Sequence, residues 1–290
     1  MAQLDSIPQM LLPVMLTLTR GNPPIKETIS LEQTFDNVTL DAANIREYSA
    51  FCGFQQSADF PATWLYLLAQ RAQIATMLDG KFPLAAPGIV HISNSLEMFD
   101  KPSFDKPVTL KSSVKIEGKE KGSLFPIFTV EILQGSKKIA LCRSGYIAKR
   151  GGGEKTEGKS DKTGEKSSDA PSQPDFSAAK SAGTIVMPDS IGWDYAKVSG
   201  DFNPIHIAGL MAKAFGLPGK LAHGWYSVSM FASVIERIKS FSVKKIEVQF
   251  QKPVLLPATV ALEYLEGTTP IAFRITSEDK KIVHLVGTIE

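Results

Sequence analysis

The chain has 290 residues and 43% of them are hydrophobic, enough for a core in one large or two ordinary domains and too many for disorder throughout. Lys and Arg number 32 against 30 Asp and Glu, a net charge of +2, so no polycation is present to grip phosphate backbones and nucleic acid is excluded as the main partner. The 2 cysteines, Cys52 and Cys142, belong to no CxxC or Cys/His cluster, which excludes a disulfide scaffold or structural zinc and suits a reducing cytoplasm.

In chain order, the first feature is the apolar stretch MLLPVMLTL at 10–18. It lacks a basic lead and a small-residue cleavage pattern, so it does not read as a signal peptide. It is too short for a bilayer and is broken by Pro13, which predicts a strand or an apolar arm packed on the body. Next comes PATWLYLLAQRAQIATML at 61–78, a buried helix with Pro61 in its first turn and Asp59 close enough to cap it. Strands are predicted at 95–102, 125–133 and 137–147, where β-branched and aromatic residues partly alternate.

Residues 149–175 carry no aromatic or large aliphatic side chain and equal numbers of acids and bases, so they predict a disordered, solvated tether. A second apolar helix is predicted at 223–238, which Glu236 and Arg237 keep from being a membrane span. Strands follow at 246–253, 270–278 and 280–290.

The strands on either side of the tether resemble each other. KKIALCRSGYI at 137–147 echoes KKIVHLVGTIE at 280–290, and SLEMFDKP at 95–102 echoes IEVQFQKP at 246–253. Two copies of one unit, 1–148 and 176–290, are therefore expected, each a sheet wrapped on its helix. Between Tyr195 and the second helix the second copy holds a polar segment that the first copy lacks.

That segment is SGDFNPIH, Ser199 to His206. Gly200 permits an unusual backbone angle and Pro204 stiffens the return, so Asp201, Asn203 and His206 can aim at one point. A carboxylate and an imidazole form a natural acid/base pair, with an amide to fix their geometry. The same residues equally suit an Asx-turn and a helix cap, with His206 opening a short helix; spacing alone leaves both open. A metal site is less favoured, because no further His or acid lies nearby in sequence. Gly224, after His223, falls in the first turn of the second helix, where its N–H can meet developing negative charge or the glycine can simply allow close packing.

Y-A-K-V-S-G-D-F-N-P-I-H at 195–206, with the His-Gly pair at 223–224, resembles the signature of the MaoC-like, (R)-specific enoyl-CoA hydratase family, hydratase 2. The resemblance implies an α+β double hotdog, two antiparallel sheets each wrapped on a long central helix. The N-terminal copy would be degenerate and widen the acyl-chain cavity, and the C-terminal copy would be catalytic. It further implies reversible hydration of a trans-2-enoyl thioester to an (R)-3-hydroxyacyl thioester, a lyase reaction needing no cofactor and no metal. By position, Asp201 and His206 would be catalytic, Asn203 would orient the water or the pair, and the Gly224 N–H would polarise the thioester carbonyl. His223, His91 and His284 would belong to the fold.

The implied substrate is an acyl-CoA or acyl-carrier-protein thioester. Lys213, Lys220 and Lys252 are the suggested cations at the mouth of its groove. A cytoplasmic monomer or homodimer of double hotdogs without a membrane span is expected. A hotdog thioesterase and a non-catalytic acyl-thioester-binding module are the alternatives.

Overall fold

A computed structural model describes residues 4–21, 23–55, 60–119, 122–148 and 174–290. The chain opens with helix α1 (Ile7–Leu16), then strand β1 (Ile29–Val38), helices α2 (Ala42–Phe51) and α3 (Ala62–Leu78), and strands β2 (Ile89–Met98), β3 (Val108–Ile116), β4 (Ile127–Gln134) and β5 (Lys137–Ala148). After the tether come β6 (Lys180–Met187), α4 (Ile191–Ser199), α5 (Pro204–Ile207), α6 (Gly209–Ala214), α7 (Gly224–Lys239), β7 (Lys245–Phe250), β8 (Ala258–Tyr264), β9 (Ile271–Ser277) and β10 (Val283–Ile289).

The predicted pattern of one buried helix followed by antiparallel strands recurs on both sides, and the α+β hotdog architecture holds. The five-stranded sheets are not separate, however. They join edge to edge into a 10-stranded sheet, β1-β3-β4-β5-β2-β7-β10-β9-β8-β6. The seam is the antiparallel pair β2–β7, in register from Ser93 opposite Gln249 to Glu97 opposite Lys245. Both edge strands, β1 and β6, carry a register shift, between Phe35 and Val38 and between Ser181 and Gly183.

The strands form because alternation hands one face to the helices. In β3, Val108, Leu110, Ser112, Val114 and Ile116 are buried while their neighbours are not. Helix α3 lies against β1 to β5 and buries every residue from Ala62 to Ala69. Helix α7 buries Trp225 to Ser229 and Phe231 to Ser233. Leu65, Val130, Phe231 and Ile275 belong to a single apolar cluster, so one core spans both sheet halves. Each such side chain contributes about 1.5–3 kcal/mol on burial.

The 10–18 stretch is helical, not a strand. Leu and Met outnumber β-branched residues in it, and Ser6 with Gln9 forms a capping box, the Ser6 N–H donating to Gln9 Oε1 at 2.8 Å. Helix α1 packs on α3 as the expected apolar arm, burying Ile7 and Met10, and the Arg71 guanidinium donates to the Leu4 and Asp5 carbonyls. The two long helices match their predicted spans to within a residue, with Pro61 and His223 as N-caps. Asp59 lies outside the described residues, as do positions 149–173 of the tether. Asp175 is described, its carboxylate accepting the Ser177 N–H at 2.9 Å.

Tyr48 on α2 and Tyr195 on α4 meet with ring centroids 6.3 Å apart. The Tyr48 hydroxyl lies 2.6 Å from Ser229 Oγ on α7, tying the first half to the central helix of the second. Beneath α3 the interior is polar as well as apolar. Gln73 donates to Ser144 Oγ at 2.8 Å and accepts from the Tyr146 hydroxyl at 2.7 Å, and Asn94 donates to the same Ser144 at 2.8 Å.

Candidate active site

Helix α4 stops at Gly200, whose φ of 77° lies in the left-handed region that glycine adopts without a Cβ penalty. The chain then folds back through a ladder of short-range bonds. The Asp201 N–H donates to Ser199 Oγ at 3.1 Å, and the Asn203 N–H to Asp201 Oδ1 at 3.2 Å. The Ile205 N–H donates to Asn203 Oδ1 at 3.4 Å, capping α5, which Pro204 opens. The Asx-turn and cap that the spacing allowed are thus present, and they place the acid and the imidazole as well.

His206 sits in α5. Its Nδ1–H donates to the Leu221 carbonyl at 2.8 Å. That bond assigns the neutral tautomer and leaves the Nε2 lone pair free to accept a proton. Helix α4 crosses against the backbone here: a Cβ at Gly192 would lie 1.9 Å from the His206 carbonyl oxygen. His223 caps α7 and donates Nε2–H to the Asp201 carbonyl at 3.0 Å. Its ring stacks on His206 with centroids 3.8 Å apart. One nitrogen or carboxylate oxygen from each of Asp201, His206 and His223 lies within 4.8 Å of the others.

The sequence-predicted Asp201 and His206 are therefore brought together, and Gly224 stands at the N-terminus of α7, one residue beyond His223. Asn203 is exposed, and it reaches Asp201 through its backbone N–H rather than its amide. Sequence reasoning left His223 to the fold, yet its imidazole is part of the cluster. It also passed over Gln70, on α3, whose Nε2–H donates to Asp201 Oδ2 at 2.7 Å. No motif marks Gln70; the signal was a polar residue interrupting the apolar run of α3.

Burial pushes both imidazoles down, His223 to about 3 and His206 below the ordinary range, so both are neutral near pH 7. Burial also pushes the Asp201 carboxyl up, but His223, His206, the Gln70 amide and the Asn203 N–H oppose it and hold the acid below its ordinary value. The state near neutrality is a carboxylate beside two neutral rings. The donor set of one carboxylate and two imidazoles resembles that of a divalent cation site. Hydrogen bonds already commit one nitrogen of each ring, leaving one lone pair on each neutral imidazole.

His91 lies in β2 and His284 in β10, and neither joins the cluster. His91 on β2 is stacked on Tyr146 with centroids 4.7 Å apart and is pushed down to about 4 by burial. Phe250 bridges its surroundings to Gly224: its ring lies 5.0 Å from His91, and a Cβ at Gly224 would meet its Cε1 at 2.7 Å. Of the suggested mouth cations, Lys220 is held by Asp189, donating to its carboxylate and, at 2.8 Å, to its carbonyl.

A family model described as "MaoC like domain" matches residues 174–286. The chain is 25% identical over 256 residues to "3-hydroxyacyl-thioester dehydratase X" of Mycobacterium tuberculosis, covering 88% of each protein. The crystal structure of HtdX from Mycobacterium tuberculosis superposes with a TM-score of 0.71 at 23% identity, covering 89% of this chain and 99% of that one. A MaoC-like dehydratase from Phytophthora capsici gives a TM-score of 0.63 at 18% identity, covering 91% and 95%. These likenesses run across both halves, while the family match begins at the end of the tether and takes in Asp201, His206, His223 and Gly224. Residues 174–286 carry the match to the MaoC-like domain, and over both halves the chain shares its fold with MaoC-like dehydratases.

Proposed function

We propose that this protein is a dehydratase/hydratase that interconverts a trans-2-enoyl thioester and an (R)-3-hydroxyacyl thioester. The observation that carries the reading is the convergence of ionised Asp201 and neutral His206, its Nε2 lone pair free, beside the N-terminus of α7. A 3-hydroxyacyl-thioester dehydratase aligned over 88% of this chain supports the same chemistry.

In the hydration direction Asp201 and the His206 Nε2 hold one water. Its oxygen adds to C3 of the conjugated thioester and its proton passes to C2, so one C–O and one C–H bond form as the C2–C3 π bond is lost. Negative charge builds on the thioester oxygen during addition. The Gly224 N–H, unpaired in the first turn of α7 and at the positive end of its dipole, meets that charge. Asn203 orients the pair from the backbone side. Dehydration is the same path reversed.

The division of labour follows from the sequence contrast. Residues 176–290 carry the chemistry, while 1–148 keep the fold without the motif and shape the space for the acyl group. The carrier is a CoA or acyl-carrier-protein thioester. No helix among the described residues is long and apolar enough to cross a membrane. The buried free thiols of Cys52 and Cys142 support a reducing compartment such as the cytoplasm.

The test is turnover of short and long enoyl-CoA substrates, followed by loss of the enoyl absorbance. Asp201→Asn and His206→Gln should each lower kcat by at least about 100-fold, the scale of general acid–base catalysis. Wild-type turnover in both variants would refute the assignment. Thiol release without hydration would instead indicate a thioesterase, and acyl-CoA binding without turnover an acyl-binding module.

A further inference from the structure

The carboxylate at the centre of the proposed site is gripped by a residue from the other half of the molecule. Gln70 stands 131 positions before Asp201, on the central helix of the half that lacks the SGDFNPIH motif. Its amide nitrogen donates to Asp201 Oδ2 at 2.7 Å, the shortest bond given to that side chain. The other carboxylate oxygen takes the Asn203 N–H at 3.2 Å. Each oxygen thus has one fixed donor, one from each half.

The identity of the residue matters chemically. An amide donor is neutral at every working pH, so it favours the ionised carboxylate without offering a proton of its own. A hydrophobic side chain here would leave Oδ2 buried and short of a donor. An acidic one would place a like charge in contact with Asp201 and favour its protonation. Gln70 also has a rigid base: Leu65 to Ala69 on the same helix are all buried, so the amide is delivered from the packed core and not from a loop.

We propose that Gln70 is a positioning residue for catalysis. It locks the side-chain rotamer of Asp201 and keeps its carboxylate charged, so the active site is complete only when the motif-lacking half is docked against the motif. The proposal rests on the assignment of Asp201 as a catalytic carboxylate.

Gln70→Leu, Gln70→Glu and Asp201→Asn, assayed in the full chain from pH 5 to pH 9 with Tm recorded for each, test it. A hydrogen bond to a charged group predicts that Gln70→Leu lowers kcat on the order of ten- to a hundredfold, with KM near the wild-type value. The acidic limb of its kcat profile should move to higher pH. Gln70→Glu, nearly the same shape, should fold like the wild type and move that limb further in the same direction. A purely structural role would lower Tm and leave the limb where it was. Wild-type kcat and an unmoved acidic limb in Gln70→Glu would overturn the proposal, whether or not Gln70→Leu folds. If Asp201→Asn itself turns over at the wild-type rate, the reading of the site falls first and this proposal with it. Loss of activity in Asp201→Asn with unchanged Gln70 variants condemns the Gln70 proposal alone.

Discussion

At the scale of single residues, the site depends on where two chains of backbone pass. Gly192 is in α4, several residues before the motif, and nothing in its local sequence marks it. A Cβ there would sit 1.9 Å from the His206 carbonyl oxygen, a backbone atom that cannot swing aside. Gly192→Ala should therefore push α5 away from α4 and carry His206 with it. The expected outcome is a loss of about 1–3 kcal/mol of stability in denaturant melts, by analogy with overpacked cores. A fall in kcat on the order of a hundredfold should accompany it, since misplacement of a catalytic group by about 1 Å has that effect. Residues of the motif itself were legible because acid, amide, imidazole and turn-formers lie within one octapeptide. His223 and Gln70 were not: the first read as part of the fold, and it does cap α7, while the second acts across a fold contact that sequence distance conceals.

At the scale of elements, the helices are tied to one another by a few polar bonds set in apolar surroundings. Asn44 on α2 is the example. Its Nδ2 donates to the Val198 carbonyl on α4 at 2.9 Å, and its Oδ1 accepts the Trp64 indole N–H on α3 at 2.9 Å. One side chain thus joins three helices next to the start of the motif. Asn44→Ala leaves a buried indole N–H and a carbonyl without their partner, which costs about 1–3 kcal/mol. Thermal melts should show the loss, and wild-type Tm would contradict it. Long helices and their strands were readable from apolar runs and alternation, and their predicted ends fall within about three residues of those observed, except at β2, which starts at Ile89 rather than at 95. The elements that escaped were β1, β3, β6 and β8 and the helices α1, α2, α4 and α6; β6 exposes most of its residues, while β8 buries Val260 to Tyr264 in succession and so shows no alternation. In α1 an apolar run with an internal proline looked extended, but the capping box at Ser6 and Gln9 and the packing against α3 settled it as a helix.

At the scale of the whole molecule, every histidine is held below its ordinary range. Burial sets His91 near 4 and His223 near 3, and it pushes His206 and His284 down as well. The unfolded chain binds protons at these groups from about pH 6.5 downward, while the folded chain binds them at lower pH, near 4 at His91 and near 3 at His223. Unfolded states that bind more protons gain as pH falls, so stability should decline from about pH 6.5 toward pH 4. Asp201, whose folded value is depressed, loses its own contribution in the same direction at still lower pH. Tm measured at pH 7.5 and pH 5 should be clearly lower at pH 5; an equal or higher Tm at pH 5 would contradict the neutral, buried state of these rings.

The joined sheet has one further consequence, for how the molecule meets copies of itself. Fusing two sheets through β2 and β7 hides two of the four edges that separate sheets would expose, and leaves β1 and β6 open. An open edge is a template for another strand. Here each open edge is broken by a bulge, with an extra residue between Phe35 and Val38 on one and between Ser181 and Gly183 on the other. A bulge bends the strand and interrupts its row of donors and acceptors. Among the described residues, the bulges thus work against pairing at both edges with a strand from another copy.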